Sequence, residues 1–470
     1  MRKSKVCIVA ATGPLFVRNV LETGALDVLT EQCDVIGLTT NEVPVTIPDN
    51  RRVRFMGCIP ISRRRAAARS FCRYLSMWHH RDRSSTFAWK FVADLSWRRR
   101  LLCKLLSLFG LAEAIISVVE KFLRSQSELE SALNEATPDL MIIFSACSDT
   151  ITPDILKACH KRGIPTLMVI NGWDNISSYG VWTYRPDRVA VWGEQNRECV
   201  IRIHRMVPQA VEIIGVPHFC HYYEPPANSV SEIRQALGLP NNGRVALFAG
   251  GSRQIDEISH LLTLDKAIHH GQLPLATVIY RPHPWRKPRQ EPNFFEQRWR
   301  HVIMDPRLEA AMRKHLNGHV VKPHHFLPSL IYARDLLSIV ELVICPLSTF
   351  MVEAAVMGKP VLVIATADGG HVSAANIAQC EHFKALSRQP GFRFCRDAGN
   401  SVHDVAALLD LSASERYGIS AAITRIAYHD DRLYAQRLWD VVKPLLHQWR
   451  DDTNQVEEAC STAVVVGAVQ

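Results

Sequence analysis

No two cysteines of this chain stand close enough in sequence to form a metal-binding pair. Thirteen are scattered from Cys7 to Cys460 and none forms a Cys-x-x-Cys pair, so the usual thiolate metal spacings are excluded. An odd, dispersed set argues for reduced thiols in a cytoplasmic compartment. Long apolar runs are also missing. The stretch after Met1-Arg-Lys-Ser-Lys5 is short and soon broken, which excludes a signal peptide there. The most apolar segment, residues 105–119, contains Glu113 and falls short of the ~20 apolar residues of a spanning helix. No internal repeat is present, which sets aside solenoids and propellers. Acidic residues are scarce in one stretch. Residues 62–104 carry 12 Lys and Arg against 2 Asp and Glu, while the whole chain is +9, so the remainder is about −1. No nucleic-acid motif accompanies that basic stretch, and nucleic acid is not expected as a partner. An anionic membrane surface fits the charge.

What is present reads as two α/β halves. A chain of 470 residues, 47% hydrophobic and 21% charged, has the size and composition of two globular domains. Unbroken apolar runs predict parallel strands at residues 6–11, 35–40, 140–144, 166–170 and 188–192 in the first half. A second series follows at 245–249, 276–280, 342–345 and 361–364. Helical spacing predicts helices over 18–29, 153–162 and 255–270. Alternating strands and helices imply right-handed βαβ units. The expected division is a first domain over residues 1–223 and a second over 229–445. A linker at 224–228 (Glu-Pro-Pro-Ala-Asn) joins them, and 451–470 is a frayed tail. Residues 62–123 interrupt the first half. They hold Arg63-Arg-Arg65, Trp78-His-His-Arg81, Trp97-Arg-Arg-Arg100 and the apolar run 105–119. Two readings stand: a long core helix with a solvated basic face, or an interfacial anchor using Trp97, Arg98, Arg99 and Arg100.

Polar residues cluster just past several expected strand ends, the edge where ligands bind in an open parallel sheet. Ala249-Gly250-Gly251-Ser252 would let backbone approach a phosphate before a helix, although glycine there also serves turn geometry alone. Arg281-Pro282-His283-Pro284 holds an arginine and a histidine in a stiff loop. The arginine offers a fork for phosphate oxygens, and the histidine a proton near neutral pH. Ser348-Thr349 and Glu353 stand at a strand end and one turn into a helix. There the hydroxyls could cap or meet a phosphate and the carboxylate could accept ribose hydroxyls. Lys359 reads as a solvated turn residue. In the first half, Gly172-Trp173-Asp174-Asn175-Ile176-Ser177-Ser178 follows a strand. Asp174 is the candidate general base, and Trp173, Asn175, Ser177 and Ser178 are candidate acceptor-side residues. A plain Asx turn is the alternative. Gly13 is a candidate close-approach glycine, and Gly215 reads as structural.

In order and spacing these blocks resemble the GT-B glycosyltransferase superfamily. More narrowly they resemble bacterial surface-carbohydrate enzymes related to CDP-glycerol glycerophosphotransferases. The matching pieces are Trp173-Asp-Asn-Ile-Ser-Ser178, Val191-Trp-Gly-Glu194, Ile214-Gly-Val-Pro217, Arg281-Pro-His-Pro284, Ser348-Thr349 through Glu353, and Gly358-Lys-Pro360. The resemblance implies an α/β fold of two Rossmann-like, doubly wound parallel-sheet domains facing a cleft. The first would take a glycan or lipid-linked acceptor and the second a nucleotide-sugar donor. Arg281 and His283 would meet the donor diphosphate, Ser348 and Thr349 phosphate, and Glu353 ribose. No cofactor and no metal are implied, since basic residues balance the leaving diphosphate and no Asp-x-Asp stands at a strand end. Polyol-phosphate transferases often carry an acidic residue directly before the serine pair. Here Pro346-Leu347 stand there, which favours a sugar as the transferred group. The expected activity is therefore glycosyl transfer in surface polysaccharide synthesis, in the cytoplasm or peripheral at the inner face of the plasma membrane. A polyol-phosphate transferase, a nucleotide-sugar 2-epimerase and a non-catalytic scaffold are the alternatives.

Overall fold

Unbroken apolar runs become the central strands of two parallel sheets, buried on both faces. The structure, a computed structural model, describes residues 4–10, 16–41, 52–251, 255–283, 292–317, 329–366 and 379–447. Gly13, Ser252 and the 451–470 tail lie outside the described residues. The first sheet contains β1 (Ser4–Ala10), β2 (Cys33–Thr40), β3 (Val53–Ile59), β4 (Leu140–Ser145), β5 (Thr166–Ile170), β6 (Arg188–Val191) and β7 (Val211–Ile213). Its order is β3-β2-β1-β4-β5-β6-β7, and every pairing is parallel. The second contains β8 (Val245–Ala249), β9 (Thr277–Arg281), β10 (Val302–Met304), β11 (Leu342–Pro346), β12 (Val361–Ile364) and β13 (Phe392–Cys395). Its order is β10-β9-β8-β11-β12-β13, again all parallel. Strand order reverses between β1 and β4 in one sheet and between β8 and β11 in the other. These are the switch points of doubly wound folds, where a crevice opens at the carboxyl ends.

The chain separates into two compact units. One comprises Met1–Arg83, Ser96–Pro217 and Tyr428–Gln470, the other Ser84–Leu95 and His218–Ala427. The change of unit therefore falls at residues 217–218, ahead of the 224–228 segment. The chain from Tyr428 packs with the first unit, although the sequence places residues up to 445 in the second. Gly215 shows how it is held. It adopts φ 78°, and a Cβ there would lie 2.3 Å from the Tyr428 carbonyl oxygen. The buried Arg437 donates from Nε to the Ile214 carbonyl at 2.8 Å.

Helices used below are α1 (Arg63–His79), α2 (Ser85–Asp94), α3 (Trp97–Leu108), α4 (Ala112–Phe122), α5 (Thr152–Arg162), α6 (Glu194–His204), α7 (Glu257–His269), α8 (Leu330–Ile339) and α9 (Phe350–Val356). Two sequence expectations need correction. The helix over 18–29 is broken: Gly24, at φ 70°, stands between the turn Val17–Leu21 and the helix Asp27–Gln32. The run 105–119 is not one long core helix. Gly110 adopts φ 68°, and α3 and α4 meet at 107°.

The insert is also divided between units. Its α2 belongs to the second, where Phe87 and Phe91 are fully buried. Thr86 Oγ1 there accepts from the Glu381 amide at 2.8 Å. In the first unit, part of the basic stretch turns inward. Arg65 and Arg69 both donate to Asp154 Oδ1 of α5, at 2.7 and 2.8 Å. Arg69 also pairs with Glu120 of α4.

Candidate functional site

At the switch point of the second sheet three strand ends converge. Past β8, the Gly250 amide donates to the Arg281 carbonyl at 2.7 Å, which ties the β8 turn to the Arg-Pro-His loop. A Cβ on Gly250 would lie 2.7 Å from Glu257 Oε2 and 3.0 Å from the His283 nitrogen. One on Gly251 would lie 3.0 Å from two carbons of the Pro346 ring, at the end of β11. Both glycines are buried. Close approach between the protein's own strand ends therefore leaves no room for a Cβ at Gly250 and little at Gly251. The Gly251 amide is directed at a carboxylate of the chain itself, Glu257 Oε1 at 2.8 Å.

Glu257 is fully buried at the start of α7. Its second oxygen accepts from the Tyr280 hydroxyl at 2.7 Å, so one carboxylate fastens the β8 turn to β9. Replacing Gly250 by alanine should lower the stability of this unit by about 1–3 kcal/mol, the usual cost of overpacking. Gly418→Ala is the control. No atom stands within 4 Å of its Cβ position, so it should be neutral or gain up to about 1 kcal/mol of helix propensity. Urea unfolding of both variants checks this; equal midpoints would remove the packing argument.

Arg281 ends β9 with its side chain 11% exposed and Nε 3.6 Å from Asp305 Oδ2. Its guanidinium lies 5.4 Å from the centre of the Phe350 ring. Nη1 is buried and has no hydrogen-bond partner among the described residues. Asp305 is fully buried and its other oxygen is well supplied. Oδ1 accepts from the Tyr332 hydroxyl at 2.6 Å and from the Arg307 amide at 3.1 Å. Burial, and then the Asp305 charge, push the Tyr332 phenol far up, so it remains a donor at any ordinary pH. Asp305 thus orients Arg281 through one long ion pair and leaves a guanidinium nitrogen for another anion. An unmet buried donor costs about 1–3 kcal/mol, which a phosphate or carboxylate oxygen would recover.

Pro282 is buried and His283 half-buried beside it. Past β11, Ser348 Oγ is buried with no hydrogen-bond partner among the described residues. Its polar neighbour is the Cys345 thiol, whose pKa burial drives far up. Thr349 is half-buried directly before α9 and caps it with no side-chain hydrogen bond. Glu353, in the first turn of α9, accepts from the Tyr222 hydroxyl. Lys359 is not solvated as the sequence implies. Its Nζ donates to the Ser338 carbonyl at 3.3 Å, and burial lowers its pKa.

In the first unit the segment after β5 is tightly packed. Trp173, Asn175, Ser177 and Ser178 are between 1% and 8% exposed. The Trp173 carbonyl accepts from Asn196 Nδ2 at 2.7 Å, and Ser177 Oγ donates to the Asp174 carbonyl at 3.2 Å. The Asp174 side chain makes no capping hydrogen bond to the short helix Asn175–Ser178 that it precedes, so the turn is not the Asx turn that the sequence offered as an alternative. Asp174 is half-buried and its Oδ1 accepts from Asn175 Nδ2 at 3.3 Å. It lies near the Cys147 thiol, which burial raises strongly, with the charges of Asp149 and Asp174 adding to the shift.

His204, at the end of α6, pins the segment and was not singled out by the sequence. Its Nε2 donates to the Ile176 carbonyl at 2.9 Å, and its Nδ1 accepts from the Trp182 amide at 3.3 Å. Burial pushes its pKa down to about 3, so it is neutral. Among the described residues the only metal-capable trio is His79, His80 and Glu113. It lies in the insert and not at a strand end.

No protein-family model matches the chain, and no curated protein sequence matches it. Solved structures do. A protein designated a UDP-N-acetylglucosamine 2-epimerase, from Listeria monocytogenes, matches at TM-score 0.53 and 12% identity, covering 94% of this chain and 96% of that one. The UDP-GlcNAc 2-epimerase of Neisseria meningitidis, solved bound to UDP-GlcNAc, matches at TM-score 0.50 and 13% identity, covering 94% and 100%. The wall teichoic acid polymerase TagF scores 0.48 at 10% identity, covering 95% and 90%. The first two likenesses show the fold: this is a two-domain α/β chain of the GT-B class.

Proposed function

We propose that this chain is a metal-independent glycosyltransferase that moves a sugar from a nucleoside-diphosphate donor to a glycan or lipid-linked acceptor. A cytoplasmic position, peripheral at a membrane, goes with a lipid-linked acceptor. The observation that carries the reading is Arg281, whose buried Nη1 has no partner among the described residues at the switch point of a parallel sheet. A diphosphate oxygen supplies the missing acceptor. In this reading His283 assists the leaving diphosphate, Ser348 and Thr349 meet phosphate, Glu353 binds ribose, and Asp174 takes the acceptor proton. The Pro346-Leu347 pair before Ser348 supports a sugar over a polyol phosphate. A nucleotide-sugar 2-epimerase is the second reading. It is favoured because two of the similar solved structures, at TM-scores 0.53 and 0.50, are designated UDP-GlcNAc 2-epimerases.

The test is a thermal-shift panel of UDP, GDP, CDP, CMP and dTDP with their activated sugars and CDP-glycerol. A ligand at a hundred times its Kd stabilises by about 2.7 kcal/mol. Arg281→Ala should weaken the active nucleotide by about tenfold to a hundredfold, the loss of a charge-assisted hydrogen bond, with the unliganded melting point as the folding control. Conversion of the sugar nucleotide without any acceptor would establish the epimerase. A shift confined to CDP ligands would turn the assignment to polyol-phosphate transfer. No shift from a folded sample would overturn the enzyme reading in favour of a scaffold.

A further inference from the structure

The insert carries an apolar face that none of the described residues covers. In α3, Trp97, Leu101, Leu105 and Leu108 recur at helical spacing and are 64%, 50%, 44% and 78% exposed. Cys103, on the opposite side of the helix, is 1% exposed. In α4, Val118 and Phe122 share one face, 48% and 81% exposed, and Phe109 and Leu111 stand exposed at the bend between the helices. Single exposed apolar residues are ordinary, but a contiguous set on two consecutive helices is a docking surface.

The charge around it is predominantly positive; Glu113, exposed on α4, is the one exposed carboxylate of the two helices and stands 3.8 and 3.9 Å from His79 and His80. Arg98, Arg99, Lys104 and Lys121 are exposed on the same pair of helices. Arg98 lies 5.4 Å from the centre of the Trp97 ring, and Lys104 lies 4.8 Å from that of Trp78. Arg100, by contrast, points inward, with its Nε buried. Neither helix spans a bilayer: α3 has 12 residues and α4 has 11, about 18 and 16 Å of helix against ~30 Å of hydrocarbon. The pair is bent by 107°.

We propose that α3 and α4 form an in-plane wedge that inserts Leu108, Phe109 and Phe122 into an anionic phospholipid surface. Arg98, Arg99, Lys104 and Lys121 lie at the headgroups. Apolar side chains flanked by aromatic rings and cations are the composition of an interfacial helix, and acidic headgroups complement the charge. The inference deepens the membrane position suggested above but does not rest on the transferase reaction.

The test is flotation of the full chain with vesicles of phosphatidylcholine alone or mixed with phosphatidylglycerol. Binding is expected to the mixed vesicles and to weaken as salt rises. The triple variant Leu108→Ser, Phe109→Ser, Phe122→Ser should lose about tenfold or more of the bound fraction. Its melting point should hold, because these side chains are exposed. Arg98→Ser with Arg99→Ser should remove most of the preference for phosphatidylglycerol. Equal flotation of the triple variant, or no flotation of the parent, would overturn the proposal. So would a parent dimer in sedimentation velocity that the triple variant dissociates, since the face would then belong to a second copy. Nucleotide shifts measured on the triple variant separate this failure from failure of the transferase reading.

Discussion

Arg69→Met is expected to lower the stability of the first unit by about 3–5 kcal/mol, the cost of removing one partner from a buried ion pair. Arg69 is 8% exposed and Glu120 3%, and the two are paired. Asp154 keeps Arg65 when Arg69 is removed, through the 2.7 Å contact to Oδ1. Glu120 keeps no such cation. Its Oε2 already has no partner, and Lys157 reaches only its backbone carbonyl, at 2.9 Å. The stranded charge is therefore on Glu120. Adding Glu120→Leu to the variant should restore most of the loss, because apolar residues of similar size often replace a buried pair without cost. Urea unfolding of parent, single and double variants is the measurement. A single variant within about 1 kcal/mol of the parent would show that the pair is not closed in solution.

Acid should weaken both units before it protonates their carboxylates. His204 in the first unit and His382 in the second are buried, and burial pushes each from 6.5 down to about 3. The unfolded chain takes up these protons below about pH 6.5, while the folded chain excludes them until about pH 3. Stability is therefore complete above that window and is lost as the pH falls through it. The slope is about 1.4 kcal/mol per pH unit for each histidine. The two residues lie in different units, and burial also lowers His80, to about 4, and His429 in the first, so both unfolding transitions should depend on protons and the first unit's more steeply. Urea midpoints between pH 7.5 and 4.5 test this, with His382→Gln flattening the second unit's transition alone. Midpoints that do not move over that range would contradict the burial of both rings.

Strand recognition failed in one systematic way. The nine strands read from apolar runs all form, and they occupy the interiors of the sheets. The four that were missed, β3, β7, β10 and β13, are the outer strands of the two sheets. An interior strand of a parallel sheet is buried on both faces and must be apolar throughout. β8, β11 and β12 are accordingly buried at every position. An edge strand is covered only in part. β3 exposes Arg54, Gly57 and Cys58 and is fully buried only at its two ends, and β13 exposes Arg393. Such strands leave no unbroken run to recognise.

The candidate site divides along similar lines. Arg281, Gly250, Gly251 and Ser348 were legible because strand ends punctuate the sequence and polar residues there stand out against apolar runs. Glu257, Asp305, Tyr332 and Tyr222 were not. Each matters through a partner far along the chain: Glu257 through Tyr280, Asp305 through Arg281 and Tyr332, and Tyr222 through Glu353. Which arginines of the basic insert face outward was equally hidden, since composition does not rotate a helix.

The sequence by itself determined the α/β class, the number of domains and the strand ends at which polar residues collect. Those follow from local apolar periodicity and from the few residues that interrupt it. Tertiary structure alone decided three things: that the glycine turn is closed by the chain's own carboxylate, that Arg281 retains a nitrogen unpartnered among the described residues, and that the apolar residues of α3 and α4 face outward. Each depends on which long-range neighbour a side chain meets, and loop closure and packing settle that together.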